Sequence, residues 1–455
     1  MARRLRKLAV LFAAVPLAAQ WGPVGTTNTP VERSGALMGY DLPNNRMLMF
    51  GGNYGNEFWS LQNGAWTQLP NGPSARARAN LAVDTLGGTI VLYGGDGGSS
   101  RYALDETWQW DGLQWTQLAP ASTPGGLARH AMAFDLLRQT TVLFGGRYDS
   151  WTPANQSGAT WEFANGAWAQ AAPAAAPPAR VDAAMAFHAA LGEVMLFGGV
   201  DGQGSGLDDT WTFDGTTWTQ RNTTGLRPSA RGGARLVQVL GRSLCALFGG
   251  QDPASLVIAN DTWEHDGSSW RLVNNVYGGI YPARHGFAMA EDLARQRIVA
   301  FGGQIANGSL QNDTWEYGAH WQPFGSGCAG TAGVPQLVPG ALPQLGAACT
   351  AQLTNLPASS GLALIAIGFS RQQWALGNLP MLLTAYGMPG CRLYTSADAT
   401  RALMPGGGSA QWSWTVPSGA AFVGQPFHLQ GLVLDPGVNA AGATVSNAAT
   451  IVIGW

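Results

Sequence analysis

Six arginines recur along the chain at nearly regular intervals, and they are the side chains best suited to hold an anion. Each precedes a Gly-Gly pair, by eighteen residues in five cases and by sixteen for Arg129. A guanidinium group presents five N–H donors in a planar fork, which matches a carboxylate or several carbonyl oxygens. The set can therefore tie structural units together, or line an opening that captures an anionic or hydroxyl-rich ligand. Its members are Arg33, Arg76, Arg129, Arg180, Arg231 and Arg284.

The composition excludes several classes of function. Lys7 is the only lysine, and it lies in an N-terminal segment that we expect to be removed. The mature chain then has neither a phosphate-loop lysine nor a Schiff-base lysine. Of the 25 Lys and Arg residues, four lie in that segment, so 21 remain against 27 acidic residues, a net charge of −6. This balance argues against nucleic acid as a partner.

Residues 1–19 have the pattern of a secretory signal peptide. A basic start with Arg3, Arg4, Arg6 and Lys7 is followed by an apolar run that ends at Ala19. The run is too short to span a membrane as a mature helix, and we expect cleavage after Ala19. No later stretch is apolar enough for a transmembrane segment. We therefore expect an exported protein that is secreted or associated with the cell surface.

The arginines belong to a repeated unit of four short apolar runs separated by turn residues. Such a unit is typical of a four-stranded antiparallel meander, and a period near fifty residues indicates propeller blades. Each copy has a Gly-Gly pair followed by two tryptophans, seven residues apart in five copies and six in the last. The first tryptophans are Trp59, Trp108, Trp161, Trp211, Trp263 and Trp315, and the second are Trp66, Trp115, Trp168, Trp218, Trp270 and Trp321.

The repeats resemble the kelch family of β-propellers over roughly residues 31–322. The resemblance rests on the Gly-Gly pair after an apolar run and on an aromatic residue followed about seven residues later by Trp. The first aromatic is Trp here, where kelch repeats usually have Tyr. Six copies imply a six-bladed propeller over residues 20–323. Trp21 and Trp321 are alternative members of the last outer strand, and the spacing leaves open which one closes the ring.

The meander topology predicts which face would bind a ligand. One face carries the tight turns, whereas the other carries the arginines and the long loops between the second and third strands of each blade. Loops of varied sequence on a rigid frame are where binding residues are commonly found. These loops are rich in polar residues and also contain Tyr102, Tyr148 and Trp151. Polar groups beside aromatic rings suit a protein or carbohydrate ligand.

The kelch resemblance also raises an enzymatic alternative, because some propellers of this type are copper oxidases or sugar epimerases. A copper-radical site would need two histidines and a Tyr–Cys crosslink on the axis. The candidates are Cys245 and five histidines, but their positions within the repeats are more typical of local structure. We predict no metal and no cofactor, and we expect an enzyme less than a binding protein. The histidines are His130, His188, His265, His285 and His320.

A second domain is expected over residues 324–455, where Gly and Pro separate several short apolar runs. This pattern predicts a small antiparallel β-sandwich. The segment around Tyr386–Tyr394 resembles a C-terminal β domain that recurs in exported bacterial proteins, and this resemblance implies a disulfide between Cys328 and Cys391. By residue type alone, Cys349 could equally pair with either one. The predicted strands are Ala351–Leu356, Gly361–Phe369, Leu379–Leu383, Ala410–Val416, Phe427–Leu434 and Thr444–Gly454.

Together these features predict an all-β protein, a six-bladed kelch-like propeller followed by a β-sandwich, that is exported and binds a protein or carbohydrate ligand. The expected binding face is that of the arginines and the long loops. Two alternatives remain: an enzyme of the galactose-oxidase or sugar-epimerase type, and a structural component of the cell envelope.

Overall fold

The computed structural model describes residues 21–98, 103–149, 155–221, 225–273, 282–318, 320–358, 360–418 and 425–454. The predicted leader, residues 1–19, lies outside them. The described chain is almost wholly β and forms two compact units. The first spans residues 23–316, and the second contains residues 317–454 together with 21–22.

The first unit begins with three four-stranded sheets, each formed by four consecutive strands and here named blades 1 to 3. Blade 1 contains β2 (Leu37–Asp41), β3 (Arg46–Phe50), β4 (Phe58–Gln62) and β5 (Ala65–Leu69). Blade 2 contains β6 (Asn80–Asp84), β7 (Thr89–Tyr93), β8 (Thr107–Trp110) and β9 (Trp115–Leu118). Blade 3 contains β10 (Ala131–Asp135), β11 (Thr140–Phe144), β12 (Thr160–Ala164) and β13 (Ala167–Ala171).

Three further four-stranded sheets complete the set. Blade 4 contains β14 (Ala184–His188), β15 (Glu193–Val200), β16 (Gly206–Phe213) and β17 (Trp218–Arg221). Blade 5 contains β18 (Arg235–Val239), β19 (Leu244–Phe248), β20 (Thr262–His265) and β21 (Trp270–Val273), with a 3-10 turn at Leu240–Arg242. Blade 6 contains β22 (Ala288–Asp292), β23 (Arg297–Phe301), β24 (Thr314–Tyr317) and, outermost, β1 (Trp21–Val24).

The six blades form a closed ring. The first strand of each blade contacts the first strand of the next, and β22 of blade 6 contacts β2 of blade 1. This is a β-propeller with the first strands around the axis. Strand β1 occupies the outer position of blade 6, whereas Trp321 lies on β25 (His320–Phe324), which pairs with β36 of the second unit. The N-terminal strand with Trp21 is therefore the one that closes the ring.

Buried tryptophans join neighbouring blades. The second Trp of each of the first five repeats lies in or against an apolar cluster shared by two blades, as Trp218 does between blades 3 and 4. In four of these tryptophans the indole N–H donates to a threonine of the preceding blade, for example from Trp218 to Thr160 at 2.9 Å and from Trp168 to Thr107 at 2.9 Å. Burying one such ring contributes roughly 4–6 kcal/mol of gross hydrophobic free energy. The repetition of this residue thus reflects packing.

The second unit is a β-sandwich. A five-stranded sheet, in the order β25-β36-β35-β28-β33, packs on a three-stranded sheet, β26-β27-β34, and both contribute to one apolar core. A disulfide joins Cys328 to Cys391, with the Cα atoms 5.1 Å apart, and Cys349 is buried as a free thiol. The strands are β25, β26 (Gln336–Pro339), β27 (Ala348–Thr354), β28 (Ala363–Gly368), β33 (Ala399–Leu403), β34 (Ala410–Thr415), β35 (Pro426–Leu434) and β36 (Ala443–Val452).

An arm between β28 and β33 carries the remaining short elements of this unit. It contains two small hairpins and a 3-10 turn at Thr384–Tyr386. The hairpin strands are β29 (Gln373–Trp374), β30 (Gly377–Asn378), β31 (Met381–Leu382) and β32 (Arg392–Leu393).

Candidate functional site

Five of the six repeated arginines are buried inside their own repeat. Arg231 has an acceptor for each of its five N–H donors. It donates to the carbonyls of Ser229 (2.9 Å) and Gly249 (3.2 Å), to the Ser229 hydroxyl (2.8 Å) and to both carboxylate oxygens of Asp261. The same carboxylate accepts from the indole of Trp263 at 2.7 Å. Here Arg, carboxylate and Trp form a clip that fastens the entry segment of the repeat to its second and third strands.

The clip recurs in four other repeats, with Asp bonded through both carboxylate oxygens in two of them and Glu through one oxygen in the other two. Arg33, Arg76, Arg180 and Arg284 bond the first Gly carbonyl of the pair and a carboxylate in their own repeat. Burial raises the pKa of Asp261, but hydrogen bonds from Arg231 and Trp263 outweigh it and hold this pKa below its usual value. These five guanidinium groups are committed to the scaffold. These five side chains therefore tie structural units together and do not line an opening for a ligand.

Arg129 differs from the other five because it does not occupy the clip position. In blade 3 that position is Leu127, and the carboxylate position is Ala159, so an apolar pair replaces the ion pair. Arg129 lies two residues further along, which is why its distance from the Gly-Gly pair is sixteen and not eighteen. The shorter spacing was the signal in the sequence that Arg129 has a different role.

The residue two positions after each clip position has a left-handed backbone. Three of these residues are glycines, and the other three carry charged side chains. Consecutive members are hydrogen-bonded from N–H to carbonyl: Arg129 to Arg78 (2.8 Å), Asp182 to Arg129 (2.9 Å), Gly233 to Asp182 (2.9 Å) and Gly35 to Gly286 (2.6 Å). We call this set the collar. Its φ angles are 74° at Gly35, 55° at Arg78, 59° at Arg129, 56° at Asp182, 67° at Gly233 and 66° at Gly286.

The collar surrounds a cavity of about 380 Å³ at the axis of the ring, which we call the mouth. Its charge is uneven. Arg78 pairs with Asp96 at 3.1 Å and Arg129 pairs with Asp182 at 3.4 Å, so blades 2 to 4 supply charged side chains on one side. On the opposite side, the collar members are Gly233, Gly286 and Gly35, which add no side chains to the mouth. Arg235 also lines the mouth.

Two arginine N–H groups at the charged side have no hydrogen-bond acceptor among the described residues. They are Nε of Arg129 and Nε of Arg147, and both are buried. Arg147 also has no ion-pair partner within the described part of the chain. Burial, followed by the repulsion of Arg129, lowers the pKa of Arg147. The charged side of the mouth therefore holds cationic donors whose bonding capacity is incompletely used.

Of the predicted aromatic ligands, only Tyr148 falls in the described residues, while Tyr102 and Trp151 lie outside them. Tyr148 is 37% exposed and its hydroxyl lies 3.4 Å from Oγ of Ser157. It directly follows Arg147, which pairs with Ala128 at the base of the loop. Tyr148 is thus adjacent in sequence to the charged side of the mouth.

The candidate metal ligands are spread over separate regions. Nε2 of His188 lies 3.3 Å from Nδ1 of His265 between blades 4 and 5, whereas His130 and His285 both line the mouth. His130 is buried at the position that Phe287 occupies in blade 6, so it does not correspond to His285. No three His, Cys, Asp or Glu side chains in the described ranges are grouped as metal ligands would be. The residues of a copper-radical site are therefore not assembled in the described structure.

The comparisons with known proteins support the same fold. Residues 129–322 match the KLHDC2/KLHL20/DRC7 Kelch-repeats domain. The first unit is a kelch-like β-propeller. The propeller is also similar to an F-box/kelch-repeat protein of Arabidopsis thaliana, with 33% identity over 159 residues, which is 32% of this chain and 32% of the relative. The match thus spans about a third of that relative's length.

The kelch match suggests a protein-interaction role for the propeller. The described residues contain no helix that is long and apolar enough to cross a membrane.

Proposed function

We propose that the propeller binds a protein partner at the mouth and that the partner presents an acidic segment there. The observation that carries this proposal is the excess of guanidinium groups at the mouth: Arg78, Arg129 and Arg235 line it against one acid, Asp182, and Arg147 lies close to Arg129. The Arg129 side chain is 27% exposed, so a carboxylate of the partner can reach its guanidinium group from the mouth. A carboxylate is also the acceptor that a guanidinium group bonds most strongly.

Backbone strain in the collar supports this choice of site. A non-glycine residue in the left-handed region costs on the order of 1–2 kcal/mol. Three repeats avoid the cost with glycine, whereas the repeats with Arg78, Arg129 and Asp182 bear it. Strained residues of this kind cluster at ligand sites, where the side chain is needed.

Charge complementarity selects the chemistry of the partner. The mouth is lined by three arginines, Arg78, Arg129 and Arg235, and by one acid, Asp182. Burial lowers the pKa of His285, so this imidazole is neutral near pH 7 and adds no charge. The site is therefore cationic on a chain whose overall charge is negative. An acidic peptide would be attracted to this opening and repelled by much of the remaining surface.

We also propose that the protein acts outside the cytoplasm, as the leader-like residues 1–19 suggest. The disulfide between Cys328 and Cys391 supports this location, because disulfides persist in oxidising compartments.

Peptide selection on the full chain tests the proposed binding. A random peptide library is selected against the protein, and the affinities of the recovered peptides are then measured for Arg147→Ala and Arg129→Gly. We expect acidic peptides whose affinity falls at least tenfold in either variant and weakens with added salt. Arg227→Ala is the matched control, because Arg227 is half exposed and pairs with Asp208 away from the mouth. Recovery of neutral peptides, or equal losses in the control, would contradict the proposal.

A further inference from the structure

In the five-stranded sheet of the second unit, strand β28 is apolar on both faces. In β28, Ala363 and Ile365 face the core of the sandwich, so the alternate residues Leu364 and Ala366 face outward. An antiparallel sheet with one solvated face normally alternates apolar and polar residues. The outward face at this point is thus suited to contact with another apolar group.

The arm covers part of that outward face. Its end is fixed by the Cys328–Cys391 disulfide, and Leu383 and Met388 pack with Cys391, Ala443 and Val445 in a small apolar cluster. The disulfide and this cluster together fix the arm against the sheet.

A cavity of about 230 Å³ remains between the arm and the sheet. Its floor includes Leu364, Ala366 and Leu432, and the arm contributes Trp374 and Leu376. The polar lining residues include Gln430, whose amide is already used. Its nitrogen donates to the carbonyls of Arg392 and Ser446, both at 2.9 Å, and its oxygen accepts from the N–H of Tyr394 at 2.8 Å. The Gln430 amide therefore has little bonding capacity left for a polar ligand.

We infer that this cavity binds a small apolar molecule with an aromatic ring or a short branched alkyl group. An apolar cavity of roughly 150 Å³ in another protein stays dry and binds benzene, so the present volume is sufficient for one ring. It is below the roughly 300–1,000 Å³ of sites for drug-sized ligands, which limits the occupant to one such group. Leu376 is 58% exposed and Tyr386 is 52% exposed at the opening, so they provide an apolar entrance.

Toluene is a suitable probe, and its binding to the full chain is measured by saturation-transfer NMR and titration. We expect saturable binding that weakens at least tenfold in Ala366→Phe, because the added ring occupies the cavity. Ala348→Phe is the matched control and should bind as the parent does. Ala348 is exposed and lies on β27 of the three-stranded sheet, outside the cavity lining.

A second variant guards against misfolding of the first. Leu376→Asp changes an exposed residue at the entrance, and it should weaken toluene binding without lowering the unfolding temperature. Absence of saturable binding to the parent chain would overturn the inference. Unchanged binding in both Ala366→Phe and Leu376→Asp would overturn it as well. Peptide binding at the propeller mouth should be unaffected by any of these changes, so the two proposals can fail separately.

Discussion

The indole Nε1 of Trp66 donates to Oγ1 of Thr314 at 3.3 Å and so joins the first blade to the last. The two residues are 248 positions apart in the chain. The same bond joins blades 2 and 3 through Thr107, and blades 3 and 4 through Thr160. In blade 1 the threonine position is taken by Phe58, and Trp115 of blade 2 has a buried N–H without an acceptor among the described residues. Ring closure therefore uses a contact that is repeated around the propeller.

We expect Thr314→Val to lower the free energy of unfolding by about 1–3 kcal/mol, because it leaves the buried Trp66 N–H without an acceptor. Valine keeps the shape of threonine, so loss of the hydrogen bond is isolated from loss of packing. Urea denaturation followed by tryptophan fluorescence gives the change. Thr67→Val on β5 is the control, since Thr67 is exposed and should change stability by less than about 0.5 kcal/mol. An equal effect of both substitutions would argue against a role for the Trp66–Thr314 bond.

The clip predicts a strong dependence between Arg231 and Asp261. Arg231→Leu should cost about 3–5 kcal/mol, because it leaves the partly buried Asp261 carboxylate without its cation and removes a donor from the Gly249 carbonyl. Adding Asp261→Ala should recover much of that loss, since the double variant reproduces the Leu127 and Ala159 pair of blade 3. A double-mutant cycle measures this coupling directly.

Arg227→Leu provides the comparison for that cycle. Arg227 pairs with Asp208, and their side chains are 51% and 41% exposed, respectively. An exposed ion pair of this kind contributes about 0–1 kcal/mol to stability. Additive effects of Arg231→Leu and Asp261→Ala would show that the clip is not a coupled unit.

Much of the propeller could be predicted from the sequence because its signals are local and repeated. In blade 3 the Gly-Gly pair directly follows the strand Thr140–Phe144, and the two tryptophans lie in the strands Thr160–Ala164 and Ala167–Ala171, so these motifs mark three of the four strands. The outer strand of the last blade could not be assigned from the sequence. The tryptophans of the last repeat are six residues apart, and Trp321 pairs with β36 through a contact that spans the second unit. Such a long-range pairing has no local signal.

The candidate site was only partly predictable. The shorter spacing of Arg129 sets it apart in sequence, but it does not reveal that Arg129 lines the mouth while Arg180 is buried in a clip. The collar was not foreseen, because arginine rarely adopts a left-handed backbone and its occurrence there cannot be deduced from residue type. The strand order of the second unit also depends on contacts between distant segments.

The strain in the collar can be measured at a position with free space. Gly233→Ala should cost about 1 kcal/mol, because φ is 67° there while nothing lies within 4 Å of the added Cβ. Arg129→Gly should remove comparable strain, partly offset by the greater backbone entropy of glycine in the unfolded chain. We therefore expect its stability to equal or exceed that of the parent by up to about 1 kcal/mol. A large loss of stability in Arg129→Gly would mean that the arginine side chain is structural.

Glu291 gives a pH-dependent prediction. Its carboxylate oxygens accept from the Leu240 N–H at 3.0 and 3.2 Å, and burial raises its pKa to about 7. Between its ordinary pKa of about 4.3 and pH 7, the folded state holds a proton that the unfolded state has released. The contribution of this group to the free energy of unfolding is thus complete below about pH 4.3. It declines as the pH rises from there and is lost once the pH has passed through about 7.

We expect Glu291→Gln to remove this decline, because glutamine keeps an acceptor for Leu240 and does not ionise. Glu291→Leu should instead cost about 1–3 kcal/mol across the range, because the Leu240 N–H loses its acceptor. Free energies of unfolding measured from pH 4.5 to pH 8 for the parent and both variants separate these effects. If the parent and Glu291→Gln have the same pH profile, then Glu291 ionises in the folded protein as it does in the unfolded chain.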